Sequence, residues 1–280
     1  MIPFTDFGGK GPQQLHFLHA NGYPPACYQP LIELFKSQYH VSGMHLRPLW
    51  PRSDPKEIGA WQPLSDDFLF FLDEQKISPI IAVGHSMGAI ISLRTAMRRP
   101  DHFRALILID PVLFPPSMIA TYNVFKAIGL SYKLHPLIAS ALKRRRQFSD
   151  LENLFRAYRS KRVFRYFSDT SLRAYIDGIV RPGANGGFEL AYSPEWEARI
   201  YYTGVWRDMD LWWGLPALKV PILIIRGAET DTFLPAAAQR VNRVRPETRI
   251  VSLEKSTHLV ALEKPHETYK IIQDFLKEIL

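Results

Sequence analysis

Cysteine is almost absent. Cys27 is the only one in 280 residues, which excludes an intramolecular disulfide framework and any zinc or iron–sulfur site built on several thiolates. A lone thiol also fits a reducing compartment. Long apolar runs are missing too. No stretch reaches the roughly 18 apolar residues of a membrane span, and the longest candidate, Pro79 to Leu93, is interrupted by His85 and Ser86. Met1 to Pro12 has neither the basic nor the apolar region of a signal peptide. The final Glu278-Ile279-Leu280 is not a peroxisomal address. No internal repeat or low-complexity tract is visible. The expectation is a soluble, cytoplasmic protein.

What is present suits a folded chain with a sizeable core: 46% of residues are hydrophobic, 12% aromatic and 22% charged, with a formal charge of +8. Disorder and collagen-like or acidic low-complexity sequence are excluded for the whole chain. The length suits one to two domains. From Leu15 to Pro111 short apolar runs alternate with amphipathic stretches. Leu15–Leu18, Tyr39–Leu46, Pro79–Val83 and Ala105–Ile109 read as strands, three of them apolar enough to be buried on both faces, as in parallel sheets. Leu64–Lys76 and Met87–Arg99 read as the helices between them, the second stopped by Pro100. The same alternation returns at Val220–Ile225, Arg249–Leu253 and a last helix opening at Pro265. The segment 112–215 differs: it is rich in Arg and aromatics, shows no buried-strand runs and reads as helical, with Arg181–Phe188 as a loop. Lys143 to Arg181 alone carries a net +7. The expected organisation is an α/β core, residues 1–111 and 216–280, with a helical cap inserted at 112–215.

Gly84-His85-Ser86-Met87-Gly88 fits the pattern Gly-x-Ser-x-Gly. It follows an apolar strand and opens a helix, the strand–turn–helix setting that forces a nucleophile up at the carboxyl end of a sheet. A serine hydroxyl needs a base to take its proton. His258, on the loop between the strand at 249–253 and the last helix, has that placement, and the other eight histidines do not. The orienting acid is expected just after the penultimate strand, in Arg226-Gly227-Ala228-Glu229-Thr230-Asp231, and Asp231 is chosen there. Glu229 and Asp110 compete with it, Asp110 before Pro111 reading more simply as a strand-end turn residue. Acyl transfer also needs two donors for the oxyanion. The backbone N–H of Met87 is assigned as one, and that of Asn21, in the loop His19–Pro25, as the other.

Together LHFLHANGYPP, VGHSMGA, VPILIIRGAETD and STHLVALEKP resemble the α/β-hydrolase superfamily, in particular its capped esterase and C–C hydrolase branch. The resemblance covers nearly all of the core and little of the cap. It implies an α/β-hydrolase fold with a mostly parallel eight-stranded sheet, a cap inserted after the sixth strand, and no metal or organic cofactor. The usual His-Gly pair is His19-Ala20 here, so the freedom of that loop rests on Gly22. The acid chosen lies four residues past Gly227, where many relatives have it at three. Serine at the elbow separates the chain from the epoxide hydrolases and haloalkane dehalogenases of the superfamily, which carry aspartate there.

The reading is a serine hydrolase for carboxylic esters of small to medium apolar acyl groups, acting through Ser86, His258 and Asp231. A C–C bond hydrolase of β-diketone-like substrates would use the same residues, and a ligand-binding receptor could retain them with slow turnover. Tyr23, Phe233, Leu259 and Trp206 are candidates for the pocket wall. The basic, aromatic stretch from Lys143 to Phe167 reads as amphipathic helices with solvated arginines. Nucleic-acid binding is disfavoured, and membrane association through the basic cap is the minor alternative. The expected partner is a small-molecule ester.

Overall fold

A computed structural model describes residues 1–130, 132 and 135–280. In chain order its strands are β1 (Phe4–Gly8), β2 (Gln13–Leu18), β3 (Tyr39–Met44), β4 (Ile80–His85), β5 (Phe103–Ile109), β6 (Gln147–Phe148), β7 (Val180–Pro182), β8 (Phe188–Leu190), β9 (Ile222–Gly227) and β10 (Arg249–Leu253). Seven of them form one sheet in the order β1-β3-β2-β4-β5-β9-β10. β1 runs antiparallel to β3, and every other pairing is parallel. Seven strands, among the described residues, replace the eight expected. β1 is an edge strand with no fully buried residue, so it lacks the apolar run that marks its neighbours.

The central strands are buried on both faces, and their side chains alternate between two cores. Ile80 and Ala82 of β4, Leu106 and Leu108 of β5, and Ile222 and Ile224 of β9 point to one. Ile81 and Val83, Ile107 and Ile109, and Leu223 and Ile225 point to the other. The main helices of the sheet domain are α1 (Gln29–Phe35), α2 (Gln62–Gln75) and α3 (Met87–Arg98). α2 and α3 cover the first face, where Leu64, Phe68, Ile90 and Leu93 are fully buried. α1 and the last helix, Pro265–Ile279, cover the second through Leu31, Phe35, Ile272 and Leu276.

Strand order reverses between β2 and β4: from β2 the chain moves outward to β3, then returns to lie on the other side of β2. Loops diverge at such a point and leave a crevice at the carboxyl ends of the strands. The His19–Pro25 loop and Ser86 both leave the sheet there.

Between β5 and β9 the chain forms α4 (Pro116–Ala127), α5 (Pro136–Leu142), α6 (Leu151–Arg159), α7 (Asp169–Ile179), α8 (Pro194–Thr203) and α9 (Met209–Gly214). It also forms a small antiparallel sheet, β6-β8-β7, which the expectation of an all-helical insertion lacked. Its strands are two or three residues long, too short for a period to register. Residues 183–187 are the turn of the hairpin that pairs β7 with β8. The insertion is tied firmly to the sheet domain. Trp61 Nε1 donates to the Ile200 carbonyl at 3.1 Å, and the buried Arg94 guanidinium of α3 donates to Asp208 at 2.7 Å and to Asp210 at 3.1 Å. The Cys27 thiol, fully enclosed beneath α7, faces the Tyr175 carbonyl.

Candidate active site

Ser86 stands between β4 and α3 with φ 57° and ψ −115°, a strained conformation for a residue with a side chain. The turn is this tight because its neighbours are glycines. A Cβ on Gly84 would lie 2.5 Å from the Gly88 carbonyl, and one on Gly88 only 2.2 Å from that of Leu18. The strand–helix contact therefore excludes any other residue at either place. Met87 begins α3, so its backbone N–H has no acceptor within the helix.

The Ser86 hydroxyl lies 2.9 Å from His258 Nε2. On the far side of the ring, His258 Nδ1 lies 3.0 Å from Asp110 Oδ1. A carboxylate only accepts, so Nδ1–H donates to it and the bare Nε2 accepts from the serine. Asp110 has no solvent exposure. Its carboxylate also accepts from Gly227 N–H at 2.9 Å, from the Thr230 hydroxyl at 2.6 Å and from Phe233 N–H at 3.4 Å.

Asp110, not Asp231, thus faces His258, which corrects the choice made from the sequence. The reason is register. His85 of β4 pairs with Ile109 of β5, so the residues that follow, Ser86 and Asp110, leave adjacent strands at one level. Asp110 takes φ 41°. The loop after β9 supplies donors to this carboxylate instead of an acid of its own. Asp231 is exposed there, its carboxylate 3.3 Å from the Thr232 hydroxyl. Glu229, the other competitor, is bonded to Arg165 at 2.5 Å and to Tyr166 at 2.6 Å at the edge of the cavity that holds Ser86.

A second chain of hydrogen bonds runs beneath the first. His85 Nε2 lies 2.8 Å from the backbone carbonyl of His258. A carbonyl only accepts, so this nitrogen carries the proton. His85 Nδ1 then accepts from the Tyr28 hydroxyl at 2.7 Å, and the Tyr28 oxygen accepts from Ala20 N–H at 3.2 Å. Burial pushes His85 down to about 3 and raises Tyr28, so both stay neutral. The His19–Pro25 loop and the histidine loop are joined through His85. Glu263 fixes the histidine loop from the other end, accepting from Thr257 N–H at 2.6 Å and from its hydroxyl at 2.8 Å.

The Asn21 side chain is spent on the insertion. It donates to the Glu197 carbonyl at 3.1 Å and accepts from the Tyr192 hydroxyl at 2.8 Å. Its loop turns at Gly22, φ 77°. Asn21 and Met87 border, with Ser86 and His258, a cavity of about 550 Å³. Tyr23 and Leu259 line it as expected, whereas Phe233 and Trp206 do not. Phe233 is buried in the core beneath Asp110, and Trp206 packs under the Lys126 ammonium. Much of the wall comes from residues the sequence reading did not single out: Trp61, Val112, Phe114, Leu137, Ile200 and Val205. Most lie in the insertion, where no motif marks them. Among the described residues no group of His, Cys, Asp and Glu could hold a metal ion.

A profile of the alpha/beta hydrolase family matches residues 17–271. The chain belongs to this family. Among curated α/β-hydrolase relatives it is 21% identical over 270 residues to an (E)-2-((N-methylformamido)methylene)succinate hydrolase of Acinetobacter baylyi, covering 96% of this chain and 92% of that protein. It is 25% identical over 268 residues to a 2-(acetamidomethylene)succinate hydrolase of Mesorhizobium japonicum, covering 96% and 89%. Among solved α/β-hydrolase structures, the thioesterase domain from the curacin biosynthetic pathway superposes with a TM-score of 0.74 at 17% identity, over 98% of this chain and 99% of that one. At that identity the likeness is one of fold.

Proposed function

We propose that this α/β-hydrolase cleaves carboxylic esters of small to medium apolar acyl groups through an acyl-enzyme, with Ser86 as nucleophile, His258 as general base and Asp110 as orienting acid. The reading is carried by one observation: His258 bridges the strained Ser86 hydroxyl and a fully buried carboxylate at 2.9 and 3.0 Å. Ser86 attacks the acyl carbon while His258 Nε2 takes its proton, and the Asp110 carboxylate stabilises the imidazolium. The N–H groups of Met87 and Asn21 receive the oxyanion. His258 returns the proton to the leaving alcohol, then activates the water that releases the acid. The apolar wall supports an apolar acyl group, and residues 112–215 act as the cap that encloses it.

Labelling with a fluorophosphonate probe, read by peptide mass spectrometry, tests this. A single adduct on the Ser86 peptide is expected. It should be absent in Ser86→Ala, much slower in His258→Ala and Asp110→Asn, and unchanged in Asp231→Asn. A folded wild-type protein that takes no label would overturn the reading.

A further inference from the structure

Residues 111–149 contain six Lys or Arg and not one Asp or Glu. The same segment holds most of the large apolar side chains that the fold leaves in solvent. Met118, Val124, Phe125, Ile128, Leu130, Tyr132, Leu137 and Leu142 are all exposed, Val124 and Ile128 by 60% each. Helix geometry gathers them. In α4, Ile119, Tyr122 and Lys126 lie at three- and four-residue spacing on the inward face, where Ile119 is buried and Tyr122 and Lys126 donate to the Tyr202 carbonyl. Met118, Val124, Phe125 and Ile128 therefore take the outward face. In α5, Ile138 and Ala141 pack inward and leave Leu137 and Leu142 outside.

Two further observations say what covers this face. The first is charge. Arg144 and Arg146 are neutralised by Glu197 and Glu195 of α8, but Lys143 and Arg145, just after Leu142, are exposed and have no carboxylate partner among the described residues. The second is continuity with the cavity. Leu137 and Val163 are both exposed and both line the cavity that holds Ser86. An apolar face with basic residues at its edge, and no acidic residue in the segment, is the composition of elements that lie in the plane of an anionic lipid surface.

We propose that the outward faces of α4 and α5 dock this protein on anionic membranes with the cavity mouth turned toward the bilayer. The outward side chains of α4 enter the acyl boundary while Lys143 and Arg145 meet the headgroup phosphates. Docking does not depend on the hydrolytic reading above. It would let amphiphilic substrates pass between the lipid and the Ser86 cavity without crossing water.

Flotation of the full chain carrying Ser86→Ala, with phosphatidylcholine vesicles containing or lacking phosphatidylglycerol, tests docking apart from chemistry. The expected result is recovery with the anionic vesicles only. Val124→Asp with Ile128→Asp should weaken that recovery about tenfold or more, and Lys143→Gln with Arg145→Gln should weaken it further, each basic residue contributing roughly fivefold near an anionic surface. The Val124/Ile128 variant, made in the Ser86 background, should hydrolyse a water-soluble short ester as the parent does, which shows that it folds. Absence of flotation, equal flotation with both vesicle types, or flotation indifferent to these substitutions would each overturn the proposal. So would concentration-dependent dimerisation that the Val124/Ile128 variant abolishes without any vesicle binding, which would assign the face to a second copy of the chain.

Discussion

At the carboxyl end of the sheet, Asp110 has no exposure and accepts four hydrogen bonds, while on the insertion Val124 and Ile128 stand 60% exposed. The first region surrounds every charge with donors. The second presents apolar surface that nothing in the described chain covers. The difference suits the two roles proposed for them. A parallel sheet fixes strand ends to within one register, so side chains leaving neighbouring strands, such as Ser86 and Asp110, are held without adjustment. A surface that lies on a fluid bilayer, as proposed for α4 and α5, needs no such register. Charge introduced at the exposed Val124 and Ile128 should therefore leave the Ser86–His258–Asp110 line untouched, and small changes in that line should be costly.

The largest expected effect tests that floor. Asp110→Asn keeps the shape of the carboxylate but lets His258 take the wrong tautomer, for which a loss of about 10⁴-fold in kcat is expected. Asp231→Asn, on an exposed side chain outside the hydrogen-bonded line, should change kcat by less than about threefold. Steady-state hydrolysis of a short ester measures both, with folding checked by circular dichroism. A result in which Asp231→Asn is the damaging one would reverse the assignment.

That pair of residues also marks where the sequence ran out. Ser86 was legible because glycines two residues to either side of it, directly after an apolar strand, mark a turn too tight for most residues. His258 was legible because its loop sits between a late strand and the last helix. The carboxylate that faces His258 was not legible. Asp110 and Asp231 both follow apolar strands, and choosing between them needs the pairing of His85 with Ile109, a property of two segments at once. The central strands announced themselves as apolar runs, while β1, half exposed, and the short strands of the insertion did not. The pocket wall was hidden for a related reason: its residues have no spacing that separates them from ordinary core. The outward face of α4 was invisible because an apolar residue in a helix reads as buried until the fold shows which side is covered.

A second test concerns protons. His16, His19 and His85 are fully buried, and burial lowers each to about 3. Geometry agrees for two of them: His16 Nε2 accepts from Met44 N–H at 3.1 Å and His19 Nε2 from Leu46 N–H at 3.2 Å, so neither ring can be doubly protonated in place. Below about pH 6.5 the unfolded chain binds protons that the folded chain refuses, so stability is complete above that value and falls as the pH drops toward 3. Each ring contributes a slope of up to about 1.4 kcal/mol per pH unit. Asp208 opposes this. Burial raises it to about 6 against the pull of Arg94, so its charged form costs stability that is recovered as the pH falls from about 6 toward 4. Two rings' worth of slope, roughly 3 kcal/mol per unit, should remain. Thermal melts between about pH 7 and pH 5 should show a steep loss of Tm, whereas a flat profile would mean that the floor carries charge this reading denies it.

The smallest expected effect separates rigidity that the floor makes for itself from rigidity lent by the insertion. Tyr28 is held from outside by α7, which encloses the neighbouring Cys27, and it holds from inside the line Ala20–Tyr28–His85–His258. Tyr28→Phe keeps the ring and its packing on Phe17 at 4.5 Å. It removes the hydroxyl, leaving Ala20 N–H and His85 Nδ1 unpaired, at a cost of about 1–3 kcal/mol in stability. If packing by the insertion alone positioned the two loops, kcat would follow the wild type once the protein is folded. If the hydrogen-bonded line positions them, kcat should fall about tenfold with KM nearly unchanged, because an oxyanion donor and a base that shift by a few tenths of an ångström lose their hold on the transition state more than on the ester. His85→Gln, which retains a donor for the His258 carbonyl, should then recover more activity than His85→Ala, a rescue that a purely packing role would not produce.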